Sequence, residues 1–169
     1  GFFVDIDEET LNIDPQALAD SILRVQEEGK LTPRGIMPVD IFGLPADYNA
    51  VSQCAKQHDL FVIGDGAQSM GSSYHGRPSA SCADMWTTSF FPAKPLGCYG
   101  DGGAIFTNSE ELSTTLKSIR VHGKGANKYD TVRLGVNGRL DTIQAAVLLA
   151  KLPTFPAEIE NRQIAAEQY

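Results

Sequence analysis

The stretch LFVIGD, residues 60–65, constrains the fold most. It is an unbroken apolar run that ends on an acid. Such a run has no polar face to turn to water, so it belongs in a sheet covered on both sides. The segment before it, GLPADYNAVSQCAKQHD, reads as a helix starting after Pro45. A helix feeding a buried strand is half of a βαβ unit, which implies a largely parallel sheet.

The flanking segments extend this pattern. DPQALADSILRVQEE carries Asp14 as N-cap, Pro15 at the first helical position, and Ala17, Leu18, Ile22 and Val25 at helical spacing. FFVDID and GIMPVDIF read as strands, with Pro38 awkward inside the second. MWTTSFF (85–91) and GAIFTN (103–108) read as two more. SEELSTTLKSIRVHG is a helix with Ser109 as cap and Gly123 as stop, and GKGANKYDTVRLGVNG is a polar loop. RLDTIQAAVLLAKL is a strongly apolar helix, read as a packing helix. The expected class is α/β, with a mostly parallel central sheet and helices on both faces. The chain begins GFFVDID without an initiator Met and stops inside a helical pattern at NRQIAAEQY. It is therefore expected to be an interior piece of a longer protein.

Charge and cysteine content exclude several classes. A net charge of −7, with no basic run, argues against nucleic acid as a partner. No apolar run approaches the ~18 residues of a membrane helix, so no membrane partner is expected. Cys54, Cys82 and Cys98 are odd in number and lack CxxC spacing, so neither a metal site nor a disulfide framework is expected. A reducing, cytoplasmic setting fits.

Two stretches carry chemistry. In LFVIGDGAQS the strand delivers Asp65 to its carboxyl end, where open α/β sheets bind ligands. Asp65 taken alone reads equally as a turn or capping residue. In SFFPAKPLGCYGDGGAIFTN, Lys94 stands between Pro92 and Pro95, and Pro95 keeps it out of the helical region. The glycines that follow allow close approach of the main chain to a ligand. They satisfy neither G-x-G-x-x-G nor the P-loop spacing, so a nucleotide loop is excluded. An aimed amine suits Schiff-base chemistry, in which a neutral lysine attacks one carbonyl carbon. A strand-end acid followed by such a lysine is the pair that pyridoxal 5'-phosphate (PLP) enzymes need.

The series DGAQSMGSSYHGRPSAS, TTSFFPAKPLGCYGDGGAIFTN, IRVHG and LGVNGRLDTIQAAVLLAKL resembles the DegT/DnrJ/EryC1/StrS family of PLP-dependent sugar-nucleotide aminotransferases, in order and spacing across nearly the whole chain. The resemblance implies a type I aminotransferase-like large domain. Residues 1–155 would be part of that PLP-binding domain, and 156–169 the start of a helix leading to a small C-terminal domain. It implies roles at matching positions. Asp65 would pair with the pyridine nitrogen and Gln68 contact the ring or its hydroxyl. Ser89 would bind the cofactor phosphate, and Lys94 hold the aldehyde as catalytic residue. Asn137 would reach the phosphate of a neighbouring subunit in a homodimer that shares its active sites. Tyr99, His122 and Arg139 would line or flank the site. His122 reads equally as a helix-end residue, Arg139 as an N-terminal helix residue and Tyr99 as a packing residue. The chain departs from the family at Gly64-Asp65-Gly66-Ala67, where an acid and then Asp-Ala-Ala are common.

The resemblance further implies glutamate as amino donor and a keto sugar nucleotide as acceptor. The lysine and Asn137 stretches look closest to enzymes that aminate the 3-keto position of a UDP-N-acetylglucuronate derivative, in bacterial surface-polysaccharide synthesis. The alternatives are a 4-keto UDP- or dTDP-sugar aminotransferase, or an inactive PLP-fold regulatory or interaction fragment. Segments that would complete the cleft are absent from this sequence, so the chain alone is expected to be inactive.

Overall fold

The computed structural model describes every residue except Lys128. Among the described residues the order is α1 (Pro15–Glu28), β1 (Gly35–Ile36), α2 (Tyr48–Gln57), β2 (Phe61–Asp65), β3 (Ser73–Tyr74), β4 (Arg77–Pro78), β5 (Met85–Ser89), β6 (Gly103–Phe106), α3 (Glu110–Arg120), α4 (Thr142–Lys151) and α5 (Phe155–Ala166). Local signals set the helix starts. Asp14 accepts from Ala17 N–H and caps α1, Asp47 accepts from Ala50 N–H and caps α2, and Ser109 accepts from Leu112 N–H and caps α3. Each satisfies a first-turn donor that the helix itself cannot.

The main sheet has the order β1-β2-β5-β6. The first three strands are parallel, and β6 is antiparallel to β5. β1–α2–β2 is a βαβ unit, whereas β2 reaches β5 through the antiparallel hairpin β3–β4. That hairpin was not expected from SYHGRP. Its turn at His75-Gly76 has positive φ at both residues, the geometry of a tight two-residue hairpin loop.

Strand alternation then sorts the side chains. Val62, Gly64 and Trp86 face α1 and α2, where Leu18, Ile22, Tyr48, Val51, Cys54 and Ala55 close one core. Ile63, Asp65, Met85, Thr87 and Ser89 face the opposite way. A second, smaller core gathers Phe90, Leu96 and Cys98 against Leu148 of α4 and Phe155 of α5.

Some expected strands shrink. FFVDID forms no strand: it makes a single bridge, Ile6 to Ile13, and Phe3 is 97% exposed. The apolar run has no neighbouring ladder, and Asp7 turns the chain by accepting from Thr10 N–H at 2.8 Å. GIMPVDIF pairs only at Gly35–Ile36 and again at Val39, opposite Asp65. Pro38 has no N–H to give and offers only its carbonyl, to Asp65 N–H at 2.8 Å. α4 starts at Thr142, so Arg139 lies in the extended lead-in and not inside the helix. No helix among the described residues is long and apolar enough to cross a membrane.

Candidate active site

The parallel register brings the carboxyl ends of β2 and β5 level. Asp65 pairs with Thr87, and Ser89 lies two residues further along the same face. Loops 65–69 and 90–98 therefore leave the sheet side by side, the position where open α/β sheets hold ligands. Asp65, Gln68, Ser89 and the loop that carries Lys94 all stand on this edge.

Asp65 Oδ1 accepts from Ala67 N–H at 3.0 Å, which ties one carboxylate oxygen to its own turn. Gln68 Oε1 accepts from Phe42 N–H at 3.0 Å. A main-chain N–H only donates, so this bond makes the amide oxygen the inward atom and leaves the NH2 outward. Phe42 holds the position from a φ of 54°, a left-handed conformation that costs a non-glycine residue about 1 kcal/mol or more. Ser89 Oγ accepts from Phe91 N–H at 3.2 Å, so its own proton stays available. Lys94 N–H closes a turn onto Phe91 C=O at 2.9 Å, and the lysine is half-buried. Among the described residues, nothing accepts from Lys94 Nζ or Gln68 Nε2, and nothing donates to Asp65 Oδ2.

A residue that sequence reasoning missed organises the acid side. Asp40 is 0% exposed and directly follows Val39, which bridges to Asp65, the last residue of β2. Its Oδ1 accepts from Ala46 N–H at 3.1 Å and Tyr48 O–H at 2.9 Å. Its Oδ2 accepts from Ser69 O–H at 2.6 Å and Trp86 Nε1–H at 3.2 Å. Its N–H donates to Asp65 C=O at 2.9 Å. One carboxylate thus joins α2, β5 and the far end of the Asp65 loop. Burial first, then the charge of Asp40, holds the Tyr48 phenol far above its ordinary range, so it stays a donor. The signal was present in PVDIFG, a second strand-end acid, but position along the chain does not tell a buried carboxylate from an exposed one.

The remaining expected residues stand on other segments or further along the lysine loop. His122 has a φ of 60° just beyond the end of α3, and its N–H donates to Val136 C=O at 3.0 Å. Asn137 is bridged to Val121. A cleft of about 890 Å³ lies beside Thr88, Phe90 and α3, and Val136, Gly138 and Leu140 line it. Asn137 and Arg139 lie between those residues in a stretch, 131–139, that is exposed throughout. None of His122, Asn137 and Arg139 hydrogen-bonds Asp65, Gln68, Ser89 or Lys94. Tyr99 is 74% exposed, with its ring against Lys151 of α4. Burial pushes the thiols of Cys54 and Cys82 up, which makes them poor nucleophiles.

A model of the DegT/DnrJ/EryC1/StrS aminotransferase family matches residues 1–169. The chain belongs to that family. It is 48% identical over 169 residues to the UDP-2-acetamido-2-deoxy-3-oxo-D-glucuronate aminotransferase of Pseudomonas aeruginosa, covering 99% of this chain and 44% of that protein. Its fold superposes with a TM-score of 0.97 on a DegT DnrJ EryC1 StrS aminotransferase from Brucella abortus, at 49% identity, over 99% of this chain and 45% of that one. A TM-score of 0.72 at 33% identity relates it to NtdA from Bacillus subtilis with bound cofactor PMP, over 88% of this chain and 32% of that one. The chain thus spans less than half the length of these family members.

Proposed function

We propose that the full-length protein is a PLP-dependent aminotransferase. It moves an amino group from glutamate to a keto sugar nucleotide, and its substrate is a 3-keto UDP-N-acetylglucuronate derivative destined for bacterial surface polysaccharide. The observation that carries this reading is the shared edge. An acid with a free oxygen, an amide with a free NH2, a hydroxyl with a free proton and an unpaired lysine stand there together, inside a family-wide match. That donor and acceptor set fits PLP, which offers a ring nitrogen, a ring hydroxyl, a phosphate and an aldehyde.

PLP supplies the electron sink that makes a carbon-bound proton removable. The chain's residues do the rest. Asp65 would hold the ring nitrogen, with Oδ2 as the acceptor that keeps a proton there. Gln68 Nε2 donates to the ring hydroxyl. Ser89 Oγ donates to a phosphate oxygen. Lys94 would hold the aldehyde through Nζ, and as a free amine it would serve as the base that takes and returns a proton at the reacting carbon. Asn137, which is exposed, serves the neighbouring subunit's site in a cytoplasmic homodimer, and Arg139 lines or flanks the site.

Two measurements test this. Full-length protein mixed with PLP is expected to show an absorbance band near ~420 nm that Lys94→Ala abolishes. A folded protein without that band would favour a regulatory PLP-fold protein. A panel of UDP- and dTDP-keto sugars with glutamate is expected to yield a 3-amino UDP sugar, and a 4-amino product would transfer the reading to the 4-keto branch.

A further inference from the structure

Helix α4 reads from sequence as a packing helix, yet its polar side chains meet the loop that carries Lys94. Gln144 Oε1 accepts from Tyr99 N–H at 2.8 Å. Lys151 Nζ donates to Gly97 C=O at 2.6 Å and sits 4.9 Å from the centroid of the Tyr99 ring. Positions 144 and 151 lie two turns apart at ~3.6 residues per turn, so they share one face. Between them Leu148 is buried against Phe90, Leu96 and Cys98. This face therefore engages the loop through an acceptor, an apolar knob and a donor.

We propose that Gln144 and Lys151 are positioning residues for Lys94. The inference rests on the reading of Lys94 as the cofactor-holding amine. Upstream, Lys94 is held by its own N–H on Phe91 C=O. Downstream, rigid Pro95 and buried Leu96 connect it to Gly97, whose carbonyl Lys151 grips. Gly97 has no room to adapt: a Cβ there would lie 2.5 Å from Pro92 C=O. Gln144 fixes the next free main-chain donor, at Tyr99, and its carboxamide lies against Gly100. Lys151 is half-buried and its ammonium grips a carbonyl, with no carboxylate partner among the described residues. A cation spent on a neutral main-chain oxygen gains little as an ion pair, but it gives the loop a fixed third point. A reacting amine displaced by about 1 Å loses on the order of a hundredfold in rate.

The test uses the full-length protein. Apoprotein is mixed with PLP, and the rate of formation of the borohydride-reducible link at Lys94 is followed by quenching and peptide mapping. PLP affinity and Tm are measured alongside. Lys151→Met and Gln144→Leu are expected to slow link formation roughly ten- to hundredfold while PLP affinity stays within about threefold. Lys151→Arg and Gln144→Glu keep the donor and the acceptor and are expected to restore the rate to within about threefold of the original. If Met and Leu variants that fold form the link at the original rate, or if Arg and Glu rescue nothing, the clamp is wrong. If the unsubstituted protein forms no link at Lys94, the cofactor reading itself fails, and the two failures are thereby told apart.

Discussion

The two loops on the ligand edge are held in opposite ways. The acid loop is tied into the main core. Ser69 bonds the buried Asp40 carboxylate, Gly66 N–H donates to Thr87 C=O at 2.8 Å, and Thr88 Oγ1 donates to Gly66 C=O at 3.1 Å. The lysine loop hangs on the smaller core and on α4. Cys98 N–H returns to Phe90 C=O at 2.8 Å, and Gln144 and Lys151 hold the far side. The acid loop is therefore held by the larger core, while the lysine loop is held by the smaller core and by two polar side chains of α4. Such a division suits a site in which one group holds a ring still and the other must let go and return.

The comparison breaks most sharply at Asp40. Asp40→Ala would leave the indole N–H of Trp86, the hydroxyls of Tyr48 and Ser69 and the N–H of Ala46 without their acceptor. Each buried donor left without an acceptor costs about 1–3 kcal/mol, and with partial relaxation the four together cost on the order of 3–5 kcal/mol. Urea unfolding of the full-length protein is expected to show a loss of that size. A loss below about 1 kcal/mol would mean that the acid loop is no better anchored than the lysine loop.

Gly66→Ala comes next. A Cβ at Gly66 would be driven into the Trp86 indole, so the loop or the ring must shift. Overpacking of this kind costs ~1–3 kcal/mol. Because the strain falls between Asp65 and Gln68, PLP affinity is expected to fall with stability. That pairing of effects is the signature of the acid side, and it contrasts with the α4 variants, which are expected to spare PLP affinity.

What the sequence disclosed, and what it withheld, follows the same division between local and distant. The α1 start was legible because Asp14 and Pro15 act within one turn. The strand at 60–65 was legible because its apolar run is continuous. FFVDID misled because a strand is defined by its neighbour, and no pattern of its own shows whether one exists. Asp65 drew attention by standing at the end of an apolar strand, and Asp40 was overlooked after a similar run, because burial depends on what α2 and β5 bring to it. Gln144 and Lys151 meet the lysine loop from far along the chain, a contact that no local spacing announces. The edge of the site was thus legible as residue types, and the supports beneath it were not.

The smallest effect lies at the start of α2, where the acid side meets solvent. Asp47 Oδ1 accepts from Tyr74 O–H at 2.6 Å and from Ala50 N–H at 3.0 Å, so it caps the helix and pins the β3–β4 hairpin. The Tyr74 hydroxyl first, then the Ala50 N–H, hold its carboxyl below the ordinary value of 3.8. The folded state therefore binds this proton less readily than the unfolded chain does. The stability it contributes is complete above that ordinary value and is lost as pH falls through the lower folded one. Asp47→Asn still caps the helix, since Asn and Asp cap about equally well, but it loses the charge on the Tyr74 bond. The urea midpoints of the two proteins are expected to differ at pH 7 by the equivalent of ~1 kcal/mol or less, as for other solvent-exposed charged contacts. They are expected to converge below pH 3.8. A gap that stays constant from pH 7 down through that range would show that the Asp47 charge contributes nothing, and that the hairpin is held by the shape of its turn alone.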